Sequence, residues 1–281
     1  MKRMMFGTAL WAFAFVVLAA APEAVRKQVE RSMLVAGTVD IQPDGSVSGH
    51  ALDPTPVLPA GVVRLVGEAV SQWRFEPVLV DGKPVNARAK MNLRIVAKAQ
   101  DDGDYNLSVR SASFGSEGGV PGEFITSARI SPPRYPEQAA RSGMSGAVYL
   151  VLRIGRDGRV EEVVAEQVNL TAIGTETQMT RARDLLSRAA LKSAKYWTFH
   201  PPTGGEDADA PFWSARVPVD FILPGQSKTS NGQWQAYVPG PQQQAAWIRD
   251  DADAGSPDAF VAGGVHQVGK GPRLLTPLDR G

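Results

Sequence analysis

The sequence predicts an α+β protein built from two copies of one small unit, in which two strands, a helix and a last strand follow in order. Three observations predict it. Two Asp-Gly pairs, Asp44-Gly45 and Asp157-Gly158, each follow an apolar strand-like run. A stretch of helical apolar spacing comes next in each half and ends in a matched pentapeptide, Trp73-Arg74-Phe75-Glu76-Pro77 or Trp197-Thr198-Phe199-His200-Pro201. Each pentapeptide leads to a strand of alternating apolar residues. The first unit is placed at 32–97 and the second at 132–225.

The opening strands are Leu34 to Ile41 and Ala147 to Ile154. Asp-Gly is a strong hairpin signal because a tight turn needs positive φ, which glycine adopts without steric cost. Val47, and then Val160 to Val164, begin the returning strands. Val62, Val66, Ala69, Val70 and Trp73 fall on one helical face, as do Ala182, Leu185, Ala189 and Ala190 ahead of Trp197. Thr175 and Gln178 have the spacing of a capping box. The Trp and Phe of each pentapeptide, two apart, belong on one face of an extended chain and are expected to pack in the core. Pro77 and Pro201 keep the helix from continuing. The closing strands are Ala89 to Val96 and Ala215 to Leu223. Pro218 lacks an N–H, so its strand is expected at a sheet edge, or with that position turned away from its neighbour.

Composition removes several classes of function. With 43% hydrophobic residues in 281, the chain can bury one or two cores. Thirty basic against 29 acidic residues leave no excess for a nucleic-acid footprint. The absence of cysteine excludes disulfides, thiol nucleophiles and thiolate metal sites. His50, His200 and His266 lack metal-ligand spacing and read as structural or surface residues. The acidic runs Asp101 to Asp104 and Asp250 to Asp253 lack the spacing of a calcium loop and read as solvated. No zinc-protease, nucleophile-elbow or phosphate-loop motif occurs, so a non-enzymatic protein without cofactor is expected.

Lys2-Arg3 and the apolar run from Met4 to Ala21 form an address at the N-terminus, residues 1–24. It reads either as a signal peptide, with Ala19-x-Ala21 as the cleavage site, or as a retained membrane anchor, since Pro22 disfavours cleavage. Either way the remainder is expected outside the cytoplasm, in the periplasm. Residues 98–131 have linker composition, with room for a short strand at Tyr105 to Val109. Residues 226–281 are rich in Gln, Gly, Pro, Ala and Asp without apolar period and are expected to be a disordered tail.

In the second unit, Pro132-Pro133-Arg134-Tyr135-Pro136-Glu137-Gln138-Ala139-Ala140-Arg141 is followed by Gly143, Gly146, Asp157-Gly158-Arg159-Val160, Trp197-x-Phe199-x-Pro201 and Val217-Pro218-Val219-Asp220-Phe221. This ordered set resembles the TonB C-terminal domain along its whole length. The first unit resembles it more weakly, through Asp44-Gly45, the pentapeptide and Val78 to Val85. It lacks the Tyr-Pro element, as a degenerate copy would.

The resemblance implies units in which a short antiparallel sheet packs on a helix. It further implies energy transduction for transport. A TonB-box peptide of a TonB-dependent outer-membrane receptor adds as a strand to the sheet edge, and an ExbB–ExbD-type motor supplies the energy. Strand addition draws affinity from main-chain hydrogen bonds. On the resemblance, the peptide-binding residues are Tyr135, Pro136, Arg216, Val217, Val219 and Phe221. Tyr135-Pro136 reads equally as a helix start. Three features depart from the family. Met1 to Ala24 carries no histidine preceded by a serine one turn earlier. The spacer before the first unit is about ten residues, a reach of at most ~35 Å. Pro132 stands where some members have glutamine. These departures bear on motor coupling. The alternative is a periplasmic scaffold or adaptor that self-associates, for instance as a homodimer, through its TonB-like domains.

Overall fold

The computed structural model describes residues 30–54, 57–100, 105–116, 122–248, 257–260 and 263–278. The N-terminal address and both acidic runs lie outside them. Among the described residues the protein is α+β, with antiparallel strand pairs throughout and few helices.

The first sheet holds β1 (Glu30–Ile41), β2 (Val47–Leu52), β5 (Ala87–Ala99) and β6 (Tyr105–Ser116), in the spatial order β2, β1, β5, β6. Helix α1 (Ala60–Ser71) follows β2 and buries Val62, Val66 and Val70, the residues of its apolar stripe. A small hairpin of β3 (Leu79–Val80) and β4 (Lys83–Pro84) precedes β5. After β7 (Thr126–Arg129) and the short helix α2 (Glu137–Arg141), the second sheet sets β9 (Val160–Leu170) beside β8 (Gly146–Gly155) and β8 beside β11 (Phe212–Phe221). Helix α3 (Glu176–Ala194) starts in the expected capping box: Gln178 N donates to Thr175 Oγ1, and Thr175 N donates to Gln178 Oε1. It lays Met179, Ala182, Leu186, Ala190 and Ala194 on the sheet. Its small alanines let the helix axis lie close to the strands.

Each sheet has its own apolar core. Met33, Val39, Val66, Trp73, Phe75, Met91 and Ile95 form the first, and Val148, Leu152, Leu186, Trp197, Phe199, Val217 and Phe221 the second. The same contact organises both. Asp44 Oδ1 accepts from Ser46 N, and Asp157 Oδ1 from Arg159 N, which fixes each turn. Gly45 at φ 81° and Gly158 at φ 75° then press on the aromatic segment. Phe75 N donates to Gly45 O, and Phe199 N to Gly158 O, both at 2.8 Å. A Cβ on either glycine would lie 2.0 Å from Phe75 O or 2.1 Å from Phe199 O. The hairpin turn thus clamps the pentapeptide against its own sheet, and only glycine permits both the φ and the approach.

Two sequence expectations are corrected. The segment read as linker contributes β6, which pairs with β5 from Ala89 to Ala99, and β7, which pairs with β10 (Thr198–His200). The apolar period of β6 was hidden by a bulge. Val109 faces Ile95 and Ser111 faces Arg94, so Arg110 is the extra residue, and the alternation of Leu107 and Val109 resumes one position late at Ala112 and Phe114. The described residues of the segment read as a disordered tail lie over both sheets. In it, β12 (Gln235–Tyr237) pairs with β1 at Glu30 to Ser32, and β13 (His266–Gln267) pairs with β11. Val238 and Leu170 exchange backbone hydrogen bonds, and Leu274 bridges to Phe75. A 3-10 turn at Pro257–Ala259 touches β5, β6, β9 and β11, between the two sheets. These pairings are two or three residues long, too short to leave a readable period.

Replacing Gly45 or Gly158 by alanine is expected to cost on the order of 2 kcal/mol or more, combining left-handed strain with the carbonyl contact. Urea unfolding of the two single variants measures it. Comparable losses are expected at both, and an unchanged midpoint at either would show that its clamp does not bear on stability.

Candidate functional site

Strand β11 decides what the expected peptide site can do. Its odd-numbered residues, Trp213, Ala215, Val217, Val219 and Phe221, face the core under α3. Val217, Val219 and Phe221 are therefore buried packing residues. Arg216 points to the opposite face but is also buried, and its guanidinium grips Glu166, with Nη2 2.8 Å from Oε1. Tyr135 reaches this strand from the segment before α2. Its ring meets Phe221 edge-on with centroids 5.5 Å apart, and its hydroxyl donates to Met144 O at 2.6 Å. Burial pushes the Tyr135 phenol above its ordinary pKa. Pro136 is the N-cap of α2, one position before its first residue, Glu137. The structure thus brings Tyr135 and Phe221 together, and it leaves the side chains of Arg216, Val217 and Val219 turned away from an incoming partner. What β11 has to offer is backbone.

The direction of that backbone follows from its pairing. In an antiparallel ladder, residues alternate between exchanging hydrogen bonds with one neighbour and with the other. Val268 N donates to Ser214 O on the outer edge at 2.8 Å, so Ser214, Arg216, Pro218 and Asp220 face outward and the odd residues face β8. Pro218 accordingly sits opposite Tyr149 with its missing N–H directed away from β8, and the β8–β11 register runs unbroken across it. Among the described residues, no strand pairs with this edge beyond Arg216. In the first sheet the strand in the corresponding place, β5, carries β6 along its length.

The faces of the two sheets away from their helices meet in a polar joint that the sequence did not reveal. Arg94 of β5 is 3% exposed. Its Nη1 donates to Ser32 Oγ at 2.8 Å, its Nη2 to Tyr149 OH at 3.1 Å and its Nε to Asp258 O at 2.7 Å. The Tyr237 ring lies 5.1 Å from its centre, and the Tyr237 hydroxyl donates to the Asp258 carboxylate. Burial opposes the Arg94 charge, yet Tyr149, Asp258 and Tyr237 together hold its pKa above the ordinary arginine value. Burial pushes Tyr149 up to about 12 and Tyr237 further in the same direction. An arginine on the polar face of an alternating strand reads as solvated, and only the docking of the second sheet and the tail buries it. Of the histidines, His50 and His200 are exposed and His266 packs on Phe260 at 4.5 Å. Among the described residues no group of three acidic or histidine side chains is placed to hold a metal ion.

A hairpin, a helix and a returning strand around one core, with a Tyr-Pro element at its start, define a small α+β domain of a recognisable kind. A family model described as the Gram-negative bacterial TonB protein C-terminal matches residues 131–168, which span α2, β8 and most of β9. Over these residues the second half of the chain is similar to the TonB C-terminal domain. Among curated proteins, "Protein TonB" of Xanthomonas campestris pv. campestris is 35% identical over 100 residues, covering 35% of this chain and 38% of that protein. "Protein tonB2" of Pseudomonas aeruginosa is 32% identical over 91 residues, 32% of this chain and 28% of that protein. The chain therefore spans well under half the length of the curated relatives it matches. No solved structure gives a significant match.

Two outcomes are expected at the joint. Asp258→Ala leaves Arg94 buried beside no carboxylate and should cost ~3–5 kcal/mol in denaturant unfolding. The raised phenols also set a pH dependence. A phenol whose folded pKa lies above its unfolded value near 10 favours the folded state while neutral. Its contribution is full below about pH 10 and is lost as pH rises towards 12. The melting temperature should fall steeply over that range. Tyr149→Phe should melt lower than the native chain at pH 8 and lose less between pH 10 and 12.

Proposed function

We propose that this is a non-enzymatic, TonB-like protein of the periplasm that binds extended peptide segments, of the TonB-box type found in outer-membrane receptors, by strand addition to the outer edge of β11. Such binding belongs to energy transduction for transport. The first sheet is then a degenerate copy of the same domain in which β6 has taken the edge that the second leaves open. The observation that carries the reading is the outward row of β11, unpaired by any described strand beyond Arg216, on the sheet whose β8 lies within the residues that match the TonB C-terminal model. Main-chain pairing there makes little demand on peptide sequence, and Tyr135 stands beside its far end, on Phe221.

The outward parity selects the residues to test. Proline at Val217 or Val219 would break the ladder with β8, because those N–H groups point inward. Asp220 is exposed and presents its N–H outward, so Asp220→Pro removes a donor in the way Pro218 already does without disturbing β8. Titration of a synthetic TonB-box peptide into the full chain should shift the Arg216 and Asp220 amide signals. Asp220→Pro should weaken binding by ~1 kcal/mol, about fivefold. Absence of binding would favour the self-associating scaffold, and full binding by the proline variant would place the peptide elsewhere.

A further inference from the structure

The tail segment that contains β13 occupies the strand on which the proposed function depends. We propose that residues 263–268 are the resident occupant of the β11 edge, and that a partner peptide binds by displacing them. The inference rests on the strand-addition reading.

The geometry leaves an incoming strand little choice. Of the outward positions from Ser214 to Asp220, Ser214 and Arg216 are engaged by Val268 and His266, and Pro218 has no N–H. A peptide confined to the stretch from Val217 to Phe221 would find one donor, Asp220 N, and the outward carbonyls of Pro218 and Asp220. Hydrogen bonds are individually weak net of solvation, and ordering a flexible peptide opposes them, so so short a ladder holds little. Clearing the tail adds the outward groups of Ser214 and Arg216 and makes a ladder of useful length.

The tail is built to let go there and stay attached elsewhere. Its hold near β11 is short-ranged: the two-residue strand, the Val268 bond, Val265 partly buried against the second core, His266 on Phe260, Gln267 Oε1 accepting from Ile125 N at 2.9 Å, and Lys270 paired with Asp207. On either side it is fixed more firmly. Upstream, Asp258 is buried against Arg94 and Tyr237. Downstream, Glu76 N donates to Arg273 O at 2.9 Å, Leu275 N to Arg74 O at 2.7 Å and Arg74 N to Thr276 Oγ1 at 2.8 Å. A strand tethered at both ends competes intramolecularly, at high effective concentration, and returns when the partner leaves. It also keeps the edge from pairing indiscriminately with other chains.

Ala215 and Gln267 are opposite one another in the pair that does not exchange hydrogen bonds, where side chains approach most closely, so cysteines at both can form a disulfide. The chain has no other cysteine. The full-length Ala215→Cys/Gln267→Cys variant, oxidised and then reduced, is titrated with a fluorescent synthetic TonB-box peptide. Val268→Pro, which removes the tail's donor to Ser214, is titrated beside the native chain. Oxidation should weaken binding at least tenfold, reversed by reductant, and Val268→Pro should strengthen it about fivefold. Equal binding by the oxidised and reduced forms overturns tail displacement while leaving peptide binding intact. Should the disulfide fail to form, an unchanged affinity for Val268→Pro overturns it alone. No binding by any form, Val268→Pro included, sinks the strand-addition reading itself.

Discussion

A guanidinium buried between two sheets sets the terms for the rest of the chain. Removing a charge from water costs on the order of several kcal/mol unless close partners replace the solvent. Arg94 finds them on β1, on β8 and in the tail: Ser32, Tyr149 and Asp258, with the Tyr237 ring over its face. None of these segments can leave without stranding the charge. The two cores are therefore separate in their apolar contents and tied in their electrostatics. A second buried pair, Glu166 with Arg216, lies on the same inner face of the second sheet. The polar character of this joint explains why each sheet shows an apolar face to its helix and a mixed one to its neighbour.

What could be read in the sequence was whatever is local. The Asp-Gly turns, the helical stripes, the Thr175–Gln178 cap and the burial of Trp73, Phe75, Trp197 and Phe199 all follow from spacings of a few residues. What could not be read is set by partners distant in sequence. The bulge at Arg110 breaks the period of β6, and the tail strands are too short to show one. Within the candidate site, Tyr135 and Phe221 do meet. Arg216 was expected to face a partner, yet it is spent on Glu166, because alternation along a strand gives two faces without saying that both are covered.

Pro218 shows how one residue's chemistry can fix the phase of a whole strand. Without an N–H it must stand at an outward position if β8 is to keep its ladder, and the observed register puts it there. That choice commits Val217 and Val219 to β8 in backbone and to α3 in side chain. It also divides the outer edge in two, a part held by the tail and a part with a single donor. In the first sheet no proline interrupts β5, and a full-length neighbour, β6, lies along it.

The route of the tail carries a consequence for how the molecule comes into being. Arg74 and Thr276, joined by a hydrogen bond beside the first core, are 202 positions apart, and β1 receives part of its edge from β12. A polypeptide emerging from its N-terminus would complete its first hairpin early and then wait for residues 235–276 before these contacts could form. Contacts of such long sequence separation slow folding, since loop closure must precede their reward. In that interval the edges of β1 and β11 are unpaired and open to association with other chains. A product lacking residues 232–276 would lose these contacts, and β1 at Glu30 to Ser32 and β11 at Ala215 and Arg216 would be left without their tail partners.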